Sequence, residues 1–260
     1  MTTYTLDDLC SMLTSPDPVV RDETAYAQLW ERIGAGEADG RLRAVGDRQA
    51  GQLAHPEIQA RTFAPLILVA VLLRDEVIGE LDAATVNEWR SAFADWYPHE
   101  KDLRGYDAKL GWLHAVAHGA DAVEAFGRSR HLGRTELSEL LEVVSARLTA
   151  PTGYLFAHGE DDRVSSAVTA VLLREELTAQ DVAQWLASIE AALKAMEPGP
   201  FPAAKSNTIR TLNSLYVACH RGVRLYGRPG QDRPAAKPPH EAAILDGLAG
   251  CLRTANRYLG

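Results

Sequence analysis

The chain is poor in the residues and patterns on which the commonest chemistries are built. Only three cysteines occur in 260 residues, Cys10, Cys219 and Cys251. They are odd in number, widely spaced and set in helical patterns, which argues against a disulfide framework or a paired-cysteine zinc motif and for buried thiols in a reducing compartment. Long apolar runs are missing too. The most hydrophobic stretch, Pro65 to Leu73, is flanked by Arg61 and Arg74 and is far shorter than the roughly 18 residues of a membrane helix. The first residues lack the basic and apolar regions of a secretory leader, so the expectation is a cytoplasmic protein with no membrane partner. Positive charge is in deficit, with a net charge of −8, and generic nucleic-acid binding is not expected. No Gly-rich phosphate loop or nucleophile elbow is present.

Alternating β-branched runs are absent as well; apolar residues instead recur at three- and four-residue spacing, the helical period. A composition 46% hydrophobic and 24% charged is that of a chain able to bury a core. Start and stop signals cut the pattern into short helices. Thr5 with Asp8, Asp17-Pro18, Pro56, Asp82, Asp107 and Thr135 mark helix starts, and further helices are expected near 159–176, 179–196, 207–226 and 241–258. The Asp107 helix should run to Gly127. Gly227 to His240, rich in Pro and Gly, should be an exposed loop.

The segment Ala70 to Glu76 recurs as Ala170 to Glu176, and each copy is followed by a cap, Asp82 or Thr178, and then a tryptophan, Trp89 or Trp185. This order points to an internal duplication. The expected fold is all-α, with stacked antiparallel helix pairs forming an α-solenoid-like array of HEAT type; a helical bundle is the alternative. The expected halves are residues 1–150 and 151–260, packed as one compact unit. Each tryptophan should lie beneath the helix carrying Leu72-Leu73 or Leu172-Leu173.

On a helix through residues 107–127, His114, His118 and Asp121 fall in one narrow sector, with Trp112, Val116 and Val123 on the opposite, core-facing side. Three readings of the stripe compete: a solvated face or histidines bonded between helices, a polar-ligand site, and a metal site. A polar ligand would be helped by the small flanking residues Gly111 and Ala125 and by Asp102 and Arg104 just before the helix. A metal would need His118 with His114 or Asp121, plus carboxylates from elsewhere. Ala115 stands where a His-Glu-x-x-His helix has its glutamate. Glu160 and Asp161, in His158-Gly-Glu-Asp-Asp-Arg163, read as a first-turn acidic cluster or as donors to that site. Arg210, Asn213, Arg221 and Arg224 share a helix side that either binds an anion or pairs with acidic neighbours.

The run Asp102 to Tyr106, then Gly111 to Asp121, resembles the signature of domain of unknown function 2785, as do Gly159 to Arg163 and Asn213 to Tyr216. The resemblance spans about residues 20–226. It implies a helical bacterial protein and points to the same stripe, with no activity attached. The preferred function is therefore binding of a small polar or anionic molecule at His114, His118 and Asp121. Asp102, Arg104, Tyr106, Trp112, Arg210 and Asn213 are the further ligand-binding candidates, Arg104 serving as counter-charge. A second reading makes one histidine a general acid/base with Asp121 as its orienting partner. A third is a scaffold gripping a peptide or nucleic acid through residues 205–233. The sequence names neither a cofactor nor an oligomeric state.

Overall fold

Capping chemistry sets several helix starts. Thr5 and Asp8 form a reciprocal capping box for α1 (Leu6–Met12), and Thr178 and Asp181 form another for α9 (Ala179–Ala195). The Asp82 carboxylate accepts the Thr85 N–H at 2.8 Å to open α5 (Ala83–Trp96). Each satisfies donors that a helix start leaves without partners. In the computed structural model, which describes residues 4–196, 201–223, 236–256 and 258–259, eleven α-helices follow in order. The others are α2 (Ala27–Ala35), α3 (Leu42–Gln52), α4 (Ile58–Ile78), α6 (Ala115–Arg128), α7 (Arg134–Thr149), α8 (Glu160–Leu172), α10 (Ala203–Arg221) and α11 (Glu241–Ala255). A π-helical segment, Val19–Tyr26, leads into α2. The fold is all-α, built of packed antiparallel helix pairs. Among the described residues one small sheet pairs β1 (Tyr106–Asp107) with β2 (Gly111–Trp112). Among the described residues no helix is long and apolar enough to cross a membrane.

The chain divides into two compact units, Met1–His131 and Leu132–Gly260, with α7 in the second. In the first unit α4 is apolar nearly all round and is surrounded accordingly, packing against α2, α3 and α6. Helices α4 and α6 run side by side in the same direction: His118 meets Thr62 near their starts and Arg128 approaches Glu76 at 3.5 Å near their ends. Helices α3 and α5 pack against each other. In the second unit α8 and α10 are likewise parallel, linked by Ser214 to Asp162 at 2.7 Å and, further along, by Thr169 to Cys219 at 4.0 Å. There α9 packs between α7 and α11.

Both tryptophans of the duplicated segment are buried, but not beneath the helices expected. Trp89 lies on α3, where Gly46 makes room for its ring, and its Nε1 donates to Asp47 at 2.8 Å. Trp185 lies on α7, donating to the Leu141 carbonyl and the Ser145 hydroxyl. Each belongs to the helix after the Ala-Val-Leu-Leu segment and faces the helix before it. The two copies of that segment also end differently. The first continues as helix to Ile78, whereas α8 stops at Leu172, because the Thr178 capping box starts α9 so soon afterwards. Helix α7 begins after Gly133, whose N–H is held by Glu136, rather than at a Thr135 cap. The Gly227–His240 loop lies mostly outside the described residues.

All three cysteines are buried. Burial pushes the Cys219 thiol up to about 12 and the Cys251 thiol to about 11, so neither is a thiolate nucleophile at neutral pH.

Candidate functional site

The site grows from Glu100, at the end of the turn that follows α5. Its carboxylate is 6% exposed and accepts five hydrogen bonds. Two come from the Arg61 guanidinium at 2.6 and 3.1 Å, one from Trp96 Nε1 at 2.9 Å, and two from the Lys101 and Asp102 N–H groups at 2.8 and 2.9 Å. Burial alone raises a carboxyl pKa, but these donors outweigh it and hold Glu100 below the ordinary glutamate value. The hub fixes where the following loop departs.

That loop is not the start of a helix. The expected helix through 107–127 gives way to the β1–β2 hairpin, with α6 starting only at Ala115. Two features account for the difference. Gly111 sits at φ +72, and a side chain there would press on Pro18 at 2.9 Å. Arg21, fully buried in the π-helical segment, donates to the Leu110 carbonyl at 2.6 Å and the Trp112 carbonyl at 3.3 Å. Arg21 thus satisfies backbone that a helix would have satisfied internally. No sequence pattern flagged it, since it lies 89 residues before Leu110.

The hairpin changes the surroundings of the stripe. Trp112, expected in the core, is 45% exposed, and Tyr106 is 51% exposed. Their rings meet edge to face at 5.0 Å. His114 is not within the helix but is its N-cap, at φ 47 and ψ 37, alone among the described non-glycine residues in having positive φ. Its half-buried ring lies 4.4 Å from Trp112 and 5.7 Å from His118, centroid to centroid. His118 is buried; its Nδ1 donates to the Thr62 carbonyl at 2.9 Å, and its ring packs edge-on to Phe63 at 5.3 Å. This is the interhelical hydrogen bond that the structural reading of the stripe requires. The Thr62 carbonyl accepts from this imidazole and so puts its proton on Nδ1. Asp121 lies one turn further along α6, half-buried. Beneath His118, Phe63 carries the Arg21 guanidinium at 4.7 Å and meets Tyr26 at 6.0 Å.

Arg104 is not a spare counter-charge for an anion. It makes a two-point contact with Asp102, at 2.9 and 2.6 Å, and reaches Asp107 at 2.5 Å. The Arg104 hydrogen bonds hold the Asp102 carboxyl below its usual range, while the Leu110 and Lys109 N–H groups, with Arg104, do so for Asp107. Arg104 itself is shifted upward, chiefly by Asp102. With two carboxylates against one guanidinium, this edge of the site is net negative and offers an anion no free cation.

Arg210 and Asn213 belong to the second unit. Arg210 donates to the Phe156 carbonyl at 2.6 Å and pairs with Asp161 at 2.7 Å, which is the pairing alternative to anion binding. Glu160 is fully buried and accepts the His158 N–H at 2.7 Å. Arg224 lies outside the described residues. Among the described residues no group of three or more His, Cys, Asp or Glu side chains is placed to hold a metal ion. The metal reading of the stripe therefore has no ligand set here.

No curated protein and no solved structure matches the chain. Residues 49–217 match the sequence model described as a protein of unknown function, DUF2785. The match takes in α4, α5, the hairpin, all of α6 and most of α10, so both histidines of the stripe and both duplicated segments lie inside it. The chain belongs to the DUF2785 family.

Proposed function

We propose that the first unit binds a small polar molecule against the His114 ring, with Trp112 and Tyr106 as its aromatic wall and Asp121 as a further polar contact. The observation that carries this reading is the backbone of His114. A left-handed conformation costs an ordinary residue about 1–2 kcal/mol, and glycine adopts it freely. A purely structural N-cap at that position is better served by glycine or asparagine. A histidine kept there despite the cost, half-buried as a residue, with its Nε2 shut off from solvent and its ring between Trp112 and His118, fits a side chain retained for what it touches. His118 is the floor of the site: its bond to Thr62 fixes the ring against which His114 rests.

The electrostatics favour a neutral or weakly charged polar ligand over a strongly anionic one. Arg104 is paired with two carboxylates, and Arg21 spends its donors on backbone carbonyls and Asp22. An exposed Trp-Tyr pair offers stacking area to a flat or apolar ligand face, while the imidazole and carboxylate supply hydrogen bonds. The same geometry suits an acid/base role, since a proton fixed on His118 Nδ1 leaves Nε2 as the basic atom of the neutral ring. The helix pairs serve as a HEAT-like scaffold in this reading.

Native mass spectrometry, with elemental analysis, of protein purified without chelator tests the proposal. A small molecule retained at one per chain by the parent, and lost from Trp112→Ala with the melting temperature unchanged, is the expected result. The same molecule held equally by Trp112→Ala would contradict it.

A further inference from the structure

The second unit also holds a groove between parallel helices. There α8 and α10 border an open groove of about 400 Å³ lined by Asp162, Ser165, Ser166, Asn213, Ser214 and Val217, with Ala218 and Val223 completing it. We propose that this groove binds a neutral polyhydroxylated ligand, of the sugar or cyclitol class.

The groove's place in the fold is the first observation. Ser214 of α10 bonds to Asp162 of α8, just as His118 of α6 bonds to Thr62 of α4. In each case the contact joins two parallel helices, and Asp162 stands 100 residues after Thr62, the offset that relates the two duplicated segments; His118 lies in the first turn of α6, whereas Ser214 lies past the middle of α10. The groove therefore lies between the pair of parallel helices that corresponds in chain order to α4 and α6, with different chemistry. The imidazoles and aromatic wall are replaced by hydroxyls, a carboxamide and a carboxylate.

That chemistry selects the ligand. One Asp162 oxygen accepts the Ser214 hydroxyl at 2.7 Å, while the other is available to accept from a ligand hydroxyl. The Asn213 carboxamide offers both donor and acceptor, and Ser166 offers a hydroxyl. Val217, 59% exposed, lies beside Ala218 and Val223 and gives an apolar surface to the C–H face of a ring. Among the described residues no basic side chain lines the groove, and the nearby Arg210 is paired with Asp161, so the described lining offers an anion no counter-charge. A single carboxylate is too little for a cation site. Alternating donors and acceptors over a small apolar patch match a molecule that is rich in hydroxyls and uncharged.

Saturation-transfer NMR on the full chain, with myo-inositol, D-glucose and glycerol at millimolar concentration, tests the assignment. Asp162 and Asn213 are both solvent-facing, so Asp162→Ala and Asn213→Ala leave the core intact. Should Asp162→Ala lose its fold, Asn213→Ala decides alone. The expected result is transfer to at least one of the three polyols, with affinity lowered about tenfold by each variant through the loss of one or two hydrogen bonds. His114→Gly should leave this transfer unchanged, which separates the groove from the site in the first unit. No transfer to any of the three, or equal transfer from the variants, would overturn the proposal. So would broadening of the phosphorus resonance of inorganic phosphate with no effect on the polyols.

Discussion

Replacing Glu100 with alanine should destabilise the protein by about 3–5 kcal/mol, the cost of breaking a buried ion pair by removing one partner. The change strands Arg61, itself largely buried, together with the Trp96 indole N–H and the Lys101 and Asp102 backbone donors. Glu100→Gln keeps the shape and part of the accepting capacity and should cost less. The pH dependence follows from the same geometry. A carboxyl whose value in the folded state lies below its unfolded value, 4.5 for a glutamate, contributes stability that is fully present above that value. The contribution is lost as pH falls through the depressed value. Denaturant midpoints of the parent should therefore drop on acidification below the ordinary glutamate range, and Glu100→Gln should lose less over the same interval. Equal acid sensitivity in parent and variant would mean that the hub carries little of the charge-linked stability.

Gly119→Ala should be among the most damaging changes of a single methyl group, with Gly46→Ala its counterpart against Trp89. A Cβ at Gly119 would stand 2.1 Å from Cε2 of Tyr97. That ring cannot swing aside: its hydroxyl donates to the Val116 carbonyl at 2.9 Å, and its face stacks on Phe93 at 5.1 Å. Nor is the α6 backbone free, since it is pressed on α4 through His118 and Thr62. Overpacking in such a place costs about 1–3 kcal/mol, offset only slightly by alanine's better helix propensity. A melting temperature for Gly119→Ala at or above that of the parent would show that α6 shifts freely over Tyr97, against the packing described.

The parts of this molecule that local chemistry controls were readable in its sequence. The helical period, the caps at Thr5, Asp82 and Thr178, and the duplicated Ala-Val-Leu-Leu segments all rest on neighbours within a few residues. The hairpin was not readable, because Tyr106–Asp107 and Gly111–Trp112 are too short to show an alternating pattern. What holds them is Arg21, from a distant part of the chain. Reading through Gly111 as helix puts Trp112 on the wrong side and His114 about two turns too deep, although the spacing of His114 and His118 still brings the two rings together. Arg104 looked like an available cation because its partners, Asp102 and Asp107, lie two and three residues away along an irregular loop. Each tryptophan was placed on the following helix correctly but turned toward the wrong neighbour. Seating Trp89 depends on the missing side chain of Gly46, a packing fact that no periodicity reports.

The central claim is that the His114 ring is kept for recognition and not for folding, and thermal and chemical denaturation of His114→Gly tests it most directly. Glycine relieves the left-handed strain of about 1–2 kcal/mol and adds unfolded-state entropy worth about 0.5–1 kcal/mol. Loss of the ring removes its contacts with Trp112 and His118. If the ring is there to meet a ligand, these effects nearly cancel, and stability should change by about 1 kcal/mol or less in either direction, a shift of a few degrees in melting temperature. His118→Ala, which removes the Thr62 bond and the Phe63 contact, should by contrast cost about 1–3 kcal/mol. A loss of more than about 2 kcal/mol in His114→Gly, matching or exceeding that of His118→Ala, would contradict the account and make the histidine pair part of the packing between α4 and α6.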